Sequence, residues 1–402
     1  MRHILLFEPD PTGHRMVFVR YIAEAIERSG SMRATLLTSE RARAAPWLAS
    51  LAQTGSHLTV ECIDVSDGRR SGVPMPAKFA RQFHHTRLLR TAVSRMQASQ
   101  RIDHVFIPFV DDYSLYPFAV APRPFGDIAW SGIAIRPRFH LAQMGAIVPA
   151  RWQDRLEALA YRGLMRNRTL DTLFCIDPYL APSLRDPRVR TICDPADITD
   201  RAADPAWLPV PEDAVTLLVY GYIDHRKGID RLLAAVADPR VPPALTVALV
   251  GSQAPGMEPV LQGPLARTLR EQGRLIEVAR HVGEDEEASA FARADIIWGY
   301  YPGSYCSSGA MVRAGQMGKP LMATAEGLVG HITREQQSGL TASETDGEAL
   351  VAQLVRLASD RNLRESLGAA GRAHFAASTS AAFGDEIVAR LMASMPRTTG
   401  ES

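Results

Sequence analysis

The sequence predicts an α/β protein made of two doubly wound parallel-sheet domains, and three observations support this. Its 402 residues are more than a single hydrophobic core usually holds. Short apolar runs alternate with amphipathic segments through the first half, which is the rhythm of β-α-β units. The same rhythm restarts after a stretch rich in Pro and Asp, so we expect a second sheet of the same kind.

In the first half, a helix is predicted over Val17–Arg28 between the first two of six strands. The six strands are expected at "HILLFEPD", "RATLLTSE", "HLTVECIDV", "DHVFIPFV", "WSGIAIR" and "LDTLFCID". The following run "RTICDPADITDRAADPAWLPVPED" has no apolar period and is interpreted as the linker. We therefore expect domains at 1–198 and 199–376, and a helix with a short tail in 377–402 that packs back on the first domain.

In the second half, five further strands are predicted at "AVTLLVYGYI", "ALTVALVGS", "RLIEVARHVG", "ADIIWGYYPGS" and "KPLMATAEG". Continuous apolar strands joined by crossover helices indicate sheets that are covered on both faces. Sheets of this kind bind ligands outside the carboxyl ends of their strands. Candidate site residues are therefore sought where strands end.

Composition excludes several classes of function. The chain carries 45 basic and 44 acidic residues, so it lacks the charge expected of a dedicated nucleic-acid binder. Cys62, Cys175, Cys193 and Cys306 show no metal-ligand spacing and are interpreted as reduced thiols of a cytoplasmic protein. The run "HILLF" is too short for a signal sequence, and no stretch approaches 18 apolar residues. We expect a protein that is neither secreted nor membrane-spanning.

Four motifs follow one another between about residues 215 and 376: "YGYIDHRKGIDRLLAAV", "HVGEDEEASAFARADIIWGYYPGS", "AMVRAGQMGKPLMAT" and "SGLTASETDGEALVAQLVRLASDRNLRESLGAAGRAHF". This ordered set resembles the retaining glycosyltransferases of the GT-B fold, especially family 4 (group 1). In the first half the resemblance is limited to "DPTGHRMVFVRYIAEAIERSG". It implies two Rossmann-like domains facing across a cleft. It also implies a hexosyltransferase-type enzyme that moves a sugar from a nucleotide-diphosphate donor to a hydroxyl acceptor, with retention.

The sequence departs from this family at one pair of positions. Members commonly carry two glutamates eight positions apart, one contacting the donor sugar and the other the ribose. Aligned on Gly318 and Pro320, those positions are Tyr305 and Arg313. A catalytically silent GT-B protein that binds a nucleotide sugar or supports a partner enzyme therefore stays open. So does a sugar-nucleotide epimerase, which needs no acceptor, or a phosphate-dependent phosphorylase on the same fold.

The segment "DHRKG", residues 224–228, is the first candidate donor site. It lies where a predicted strand gives way to a helix, and helix N-termini attract anions. Arg226 and Lys227 add charged donors suited to a diphosphate, and Lys227 is also expected to stabilise charge on the leaving phosphate. The alternative is a solvated basic loop.

The segment "SYCSSGAMVRAGQMGKP" is the second candidate. Residues Ser307–Gly309 are expected to present N–H groups to a phosphate at a helix N-terminus. Arg313 lies four residues beyond, on the same helix face, and would reach a donor phosphate or a carboxylated sugar. The equally weighted alternative is an ion pair of Arg313 with Asp295 or Glu326.

The resemblance adds further donor contacts. Arg280 and His281 stand in "ARHVG", residues 279–283, which looks like the loop that contacts the nucleobase. Glu326 stands in "TAEGLVGH", residues 324–331, where it would bond a sugar hydroxyl or cap a helix. Gly13, in "DPTGHR", would let the first loop approach the donor.

In the first domain, His14 and Arg15 follow Gly13 and are candidates for acceptor contact. Asp111 and Asp112 end a predicted strand and would bind acceptor hydroxyls or cap a helix.

The next strand ends in "IAIRPRFH", residues 133–140, where Arg136 and His140 are the candidates for the reaction centre. No metal or cofactor is expected, because a basic loop can stabilise the leaving diphosphate in place of Mg²⁺.

Residues 69–101 contain eight Lys or Arg, two adjacent histidines and no acid. Phe79, Phe83, Val93 and Met96 recur there at helical spacing. Such a segment is typical of peripheral contact with an anionic membrane by enzymes with lipid-linked acceptors. The alternative, which we favour, is a helix with its apolar face in the core and its charges solvated. The expected partners are a nucleotide sugar and a carbohydrate, lipid-linked or small-molecule acceptor, without nucleic acid, in the cytoplasm or at its membrane face.

Overall fold

The structure is a computed structural model that describes residues 1–10, 15–43, 47–48, 57–64, 75–199 and 201–394. The chain divides into two compact units. The first contains residues 1–140, 150–193 and the described residues from Ser380 onward. The second contains residues 141–149 and 194–379.

The first unit contains a seven-stranded parallel sheet of strand order β3-β2-β1-β4-β5-β6-β7. Its central strands are buried on both faces, as the continuous apolar run in β1 indicates. They are β1 (Arg2–Glu8), β2 (Met32–Thr38), β3 (Leu58–Cys62), β4 (His104–Ile107), β5 (Ala129–Ala134), β6 (Leu170–Cys175) and β7 (Val189–Thr191). The helices are α1 (Arg15–Ser29), α2 (Glu40–Arg43), α3 (Met75–Gln97), α4 (Val110–Tyr113), α5 (Leu115–Val120), α6 (Trp152–Leu164) and α7 (Leu180–Leu184).

The second unit contains a six-stranded parallel sheet of strand order β10-β9-β8-β11-β12-β13. The strands are β8 (Val215–Tyr220), β9 (Leu245–Val250), β10 (Leu275–Val278), β11 (Ile296–Gly299), β12 (Leu321–Thr324) and β13 (Gly339–Ala342). The helices are α8 (Ile229–Val236), α9 (Glu258–Leu261), α10 (Pro264–Glu271), α11 (Glu284–Arg293), α12 (Gly309–Gln316), α13 (Gly327–Glu335), α14 (Gly347–Ser359) and α15 (Arg361–Phe375). Single 3-10 turns occupy Leu141–Met144, Pro205–Trp207 and His225–Lys227.

The last described helix, α16 (Ser380–Ser394), returns to the first unit and packs on α1. Phe383, Ile387 and Leu391 are fully buried, and the rings of Phe383 and Phe18 lie 5.1 Å apart. The apolar period of this helix therefore faces the core of the first unit.

The prediction of two doubly wound parallel sheets is confirmed. Every predicted strand is present, and two short edge strands, β7 and β13, were not predicted. The division of the chain differs from the predicted ranges in two places. The boundary falls after Cys193, and residues 141–149 group with the second unit. They do so because Ile147 pairs with Glu326 as an isolated bridge and accepts a 2.8 Å hydrogen bond from the Gly327 N–H.

The basic segment is largely the helix α3, and residues 69–74 lie outside the described residues. Val93 and Met96 face the core as expected, but Phe83 is 52% exposed. The reason is that Gln82 takes the interior position. Its amide donates to the Asp111 carbonyl at 2.6 Å and accepts from the Tyr116 N–H at 2.9 Å.

None of the described helices combines the length and hydropathy that crossing a membrane requires. All four cysteines are free thiols in the structure.

Candidate functional site

Lys227 in the second unit and Arg15 in the first lie near the point of their sheet where the strand order reverses. In the first sheet β1 pairs with β2 on one side and with β4 on the other, and in the second sheet β8 pairs with β9 and β11. Chains leave such neighbouring strands in opposite directions, which opens a crevice at their carboxyl ends. Each unit thus has its own candidate site.

Lys227 stands at the carboxyl end of β8 and is held inward. Its ammonium donates to the Tyr220 carbonyl at 2.6 Å and lies 4.9 Å from the centre of the Tyr301 ring. Its own carbonyl accepts a 2.7 Å hydrogen bond from the indole N–H of Trp298, the residue before the end of β11. Backbone and side chain of Lys227 are therefore both fixed at the switch point, and the cation has two further N–H donors for a ligand.

Arg313 is paired with an acid, but not with either of the two acids named from the sequence. Its guanidinium forms an ion pair with Glu287 of α11, and it donates to the Gly309 carbonyl at 3.2 Å. Asp295 instead accepts from the Thr216 N–H at 2.8 Å. The pairing expected as the alternative to an anion role is present, with Glu287 as the partner.

Glu287 ties the arginine to the end of β8. It raises the pKa of the Tyr220 hydroxyl, although burial is the larger cause of that rise. Since Lys227 bonds the carbonyl of the same tyrosine, Lys227, Tyr220, Glu287 and Arg313 form one connected network. The two predicted cations are thus connected through Tyr220 and Glu287, neither of which was predicted as a site residue.

The loop before α12 contacts a second carboxylate, that of Asp194, in addition to the Glu287 carboxylate that pairs with Arg313. Ser308 caps the helix, and its hydroxyl accepts from the Ala310 N–H at 3.3 Å. Ser307 donates to the Asp194 carboxylate at 2.7 Å. Burial raises the pKa of Asp194, while the Ser307 hydrogen bond and Arg313 oppose the rise. The loop that was expected to receive an anion therefore lies against a partly buried carboxyl group.

Three other predicted donor residues lie at the surface of the second unit. Arg226 is exposed and pairs with Asp224 at 3.1 Å. Arg280 is exposed and pairs with Glu286 at 2.5 Å, and His281 beside it is exposed as well. Their assignment to the donor stays a prediction.

Glu326 is almost fully buried and its carboxylate has two partners. It accepts from the Ser343 hydroxyl at 2.6 Å and from the Glu344 N–H at 3.0 Å. Glu344 in turn accepts from the hydroxyl of Tyr305, the residue in place of the first family glutamate, at 3.1 Å. In this arrangement Glu326 orders the loop after β13, and Tyr305 and Glu326 are linked through Glu344.

The site of the first unit centres on Arg15. Its guanidinium donates to the Tyr113 hydroxyl at 2.7 Å, and it forms ion pairs with Asp112 and, at 3.5 Å, with Asp10. The Tyr113 hydroxyl donates to Glu8, the last residue of β1. Arg15 and Asp112 were predicted, whereas Glu8 and Tyr113 were not.

Burial acts differently on the two carboxyl groups of this cluster. It raises the pKa of Glu8 to about 8, against the opposing effects of Arg15 and the Tyr113 hydrogen bond. It also acts to raise the pKa of Asp112, but Arg15 and Arg136 outweigh it, so that this pKa is lowered. Glu8 is therefore mostly protonated at neutral pH, whereas Asp112 is ionised.

Asp111 and Arg136 stabilise the end of β5. The Asp111 carboxylate accepts from the N–H groups of Ile135 and Arg136, at 2.9 and 2.6 Å. Burial raises the pKa of Asp111. The Arg136 side chain is half exposed and lies 3.5 Å from Asp112. Asp111 thus positions the backbone, and Arg136 and Asp112 carry the exposed polar surface.

His140 has no exposed surface. Its Nε2 lies 2.9 Å from the Asp177 carboxylate, which follows β6 and is itself buried. This pairing fixes the orientation of the imidazole, and a role for His140 at the reaction centre stays a prediction. Gly13 and His14 lie outside the described residues.

In the described residues there is no group of three or more His, Cys, Asp or Glu side chains arranged to hold a metal ion. The expectation that no metal is required stays a prediction. Of the residues missed, Glu8 had one usable signal, since it is an acid at the end of an otherwise apolar strand.

Comparison with known proteins finds one matching family model and many similar solved structures. Residues 214–360 match the model of the family described as Glycosyl transferases group 1. This range includes Lys227, Glu287, Arg313 and Glu326. No protein of curated function matches the chain in sequence.

Solved structures match the whole chain at low identity. Sucrose-phosphate synthase from Thermosynechococcus elongatus is 18% identical with a TM-score of 0.66, and the match covers 98% of each chain. HepE from Anabaena in complex with UDP and glucose is 15% identical with a TM-score of 0.62, covering 98% of this chain and 100% of the other. WaaG, a glycosyltransferase involved in lipopolysaccharide biosynthesis, is 15% identical with a TM-score of 0.61 over 100% of both chains.

These likenesses establish the GT-B fold, and the family model covers the part of the chain that carries the second site. Residues 214–360 are thus similar to the group 1 glycosyltransferases, and the GT-B fold extends over the whole chain.

Proposed function

We propose that this protein transfers a sugar from a nucleotide-diphosphate donor, most simply a UDP-sugar, to a hydroxyl group of an acceptor. The donor would bind to the second unit and the acceptor to the first. Transfer would proceed with retention at the anomeric carbon and without a metal or cofactor.

The fixed position of Lys227 carries the donor assignment. Its ammonium stands at the switch point of the second sheet, inside the range that matches the group 1 model. A largely buried cation held there is suited to a diphosphate and to the charge that develops on it as the sugar leaves. The choice of UDP is supported by HepE with UDP and glucose, and by a trehalose-6-phosphate protein of E. coli bound with UDP-2-fluoro glucose.

The polar cluster of the first unit supports a hydroxyl acceptor. Asp112 is ionised and partly exposed, and Arg136 beside it is half exposed. Hydrogen bonds from these groups would orient a polyol, and correct orientation supplies much of the rate enhancement in a reaction without a protein nucleophile. The acceptor would be a carbohydrate or small molecule, or a lipid-linked sugar reached by peripheral membrane contact through α3.

One observation favours a silent binding protein as the second candidate. Both family glutamates are replaced, and Arg313 is engaged with Glu287. A protein of this kind would bind the donor without turning it over.

Turnover distinguishes the two candidates. UDP-glucose is incubated with the wild type and a panel of sugar and lipid-linked acceptors, with excess chelator, and UDP is quantified by chromatography. The proposal predicts acceptor-dependent UDP release that chelator leaves unchanged, and proton NMR of the product should show the α configuration of the donor. Donor binding without UDP release for any acceptor would favour the silent candidate, and loss of release on chelation would contradict metal independence.

A further inference from the structure

The first turns of α3 pack against the residues that follow β4 in the first unit. The Gln82 amide donates to the Asp111 carbonyl at 2.6 Å and accepts from the Tyr116 N–H at 2.9 Å. One turn later, the Thr86 hydroxyl donates to the Tyr113 carbonyl at 3.3 Å. The side chain one turn before the glutamine is therefore held at the carboxyl end of β4.

That side chain is Lys78, whose ammonium forms no ion pair or hydrogen bond with the described residues. It lies 5.7 Å from the centre of the Tyr116 ring. Burial is the largest influence on the pKa values of Asp111, Asp112 and Glu157, and the positive charge of Lys78 acts to lower all three. The lysine thus stands near three carboxyl groups without being paired to any of them.

Two of these carboxyl groups are turned to the backbone. Asp111 accepts from the N–H groups of residues 135 and 136, and Glu157 from those of residues 138 and 139, at 2.6–3.0 Å. Burial raises the pKa of both groups. They fix the chain that follows β5, and their oxygens are directed away from solvent.

The third carboxyl group, Asp112, has several cations around it. It forms an ion pair with Arg15 and lies 3.5 Å from the guanidinium of Arg136. Burial acts to raise its pKa, but Arg15, Arg136 and Lys78 outweigh that effect, so all three cations lie near it. The Arg136 side chain is 53% exposed and donates no hydrogen bond to the described residues. The unused donors at this place therefore belong to Arg136 and Lys78.

A buried histidine at the same place shows the effect of the surrounding cations. His85 is 8% exposed, and its ring lies 5.1 Å from that of Tyr113. Burial, aided by the charges of Arg81 and Arg15, lowers its pKa to about 4. Its Nδ1 has no hydrogen-bond partner among the described residues. The imidazole is therefore neutral at pH 7, and the cations around it stay without an added counter-charge.

We propose that Lys78 and Arg136 form an anion subsite in the first unit, which selects acceptors that carry a phosphate group beside the hydroxyl to be glycosylated. This inference rests on the proposed function, since the ligand of the subsite is its acceptor. Arg136 presents a planar fork suited to two phosphate oxygens, and Lys78 presents a compact charge with three rotatable donors. A neutral sugar would leave both cations without a counter-charge, whereas a phosphate group accepts from both.

Calorimetric titrations in the presence of saturating UDP test the subsite with glucose, glucose 6-phosphate and the soluble short-chain lipid dihexanoylphosphatidylglycerol. The two phosphate compounds represent a free sugar phosphate and a phospholipid headgroup as sources of the same group. At least one of them should bind the wild type about tenfold more tightly than glucose, because a charge-assisted hydrogen bond contributes about that factor. The compound that binds more tightly identifies the source.

Lys78→Met removes the charge and keeps the length of the side chain. It should weaken binding of the phosphate compound about tenfold and leave glucose binding unchanged, and Lys78→Arg should restore most of the lost affinity. The control is Arg90→Met on the same helix, at an exposed cation about 18 Å from Lys78 along the axis of α3. This control should bind the phosphate compound as the wild type does.

Equal affinity of the wild type for glucose and both phosphate compounds would overturn the proposal, and so would equal loss of affinity in Lys78→Met and Arg90→Met. UDP is titrated alone into the same preparations. If the wild type binds UDP but does not distinguish the phosphate compounds from glucose, the anion subsite alone is refuted. Absence of UDP binding would refute the proposed function.

Discussion

Glu8 should make the stability of the protein depend on pH, and replacing it with glutamine should remove that dependence. Its side chain has no exposed surface, and burial raises its pKa from 4.5 to about 8. The unfolded chain keeps the ordinary value. Between these two pH values the folded protein therefore holds a proton that the unfolded chain has lost, so the free energy of unfolding falls as pH rises.

The magnitude follows from the width of that window. Within it the free energy of unfolding falls by about 1.4 kcal/mol per pH unit. Across the whole window the protein therefore loses about 5 kcal/mol of stability. Below the window both states are protonated and above it both are ionised, so the dependence from this group ends on either side.

The effect is measured by urea unfolding of the wild type and of Glu8→Gln at about pH 6 and about pH 7.5. Between these two pH values the free energy of unfolding of the wild type should fall by about 2 kcal/mol more than that of the variant. Glutamine is the matched replacement because its amide oxygen still accepts from the Tyr113 hydroxyl and does not titrate. The comparison cancels every other titrating group. Parallel pH profiles of the two proteins would refute the assignment of a raised pKa to Glu8.

Three further predictions concern the second site, a backbone turn and the last helix. Arg313→Ala should lower the free energy of unfolding by about 3 kcal/mol, because it leaves the Glu287 carboxylate without its ionic partner. Adding Glu287→Gln should recover part of this loss. If the effects of the two substitutions simply add in the double variant, the pairing is contradicted. Gly251→Ala should abolish soluble folded protein, because the added Cβ would stand 1.9 Å from a backbone carbonyl oxygen. The control is Gly273→Ala, at a glycine that also has a positive φ but open space around it, and this variant should lower the free energy of unfolding by only about 1 kcal/mol. Equal melting temperatures of the two variants would contradict the prediction. Phe383→Ala should lower the unfolding free energy by about 3 kcal/mol in urea titrations, and an unchanged midpoint would show that α16 is not part of the core.

The sheets could be predicted because their strands are buried on both faces and form continuous apolar runs. Two of the four edge strands, β7 and β13, could not be predicted. In β7 two of three residues are exposed, and β13 begins with a glycine, so neither has the composition of a buried strand. Residues 141–149 were misplaced because their grouping depends on one isolated bridge to Glu326, which no local pattern encodes.

The charged residues at the strand ends were predictable, but their partners were not. Lys227 was identified from its place between a strand and a helix together with the family resemblance of its segment, since the local pattern alone also fits a solvated basic loop. Glu287 stands among three other acids in "GEDEEASAF", and only the packing of α11 selects it to meet Arg313. The same limit applies to α3, where helical spacing put Phe83 on the apolar face and the hydrogen bonds of Gln82 turned it outward.

Calorimetric binding of UDP-glucose to the wild type, Lys227→Ala and Arg240→Ala tests the central claim most directly. Arg240 is the control, since it is an exposed cation of the second unit whose pairs with Asp238 and Glu348 lie on the surface. A charge-assisted contact of Lys227 with the diphosphate predicts binding by the wild type and by Arg240→Ala, and affinity weaker by about tenfold to 100-fold in Lys227→Ala. Equal affinities in all three proteins, or no binding to the wild type, would contradict the account.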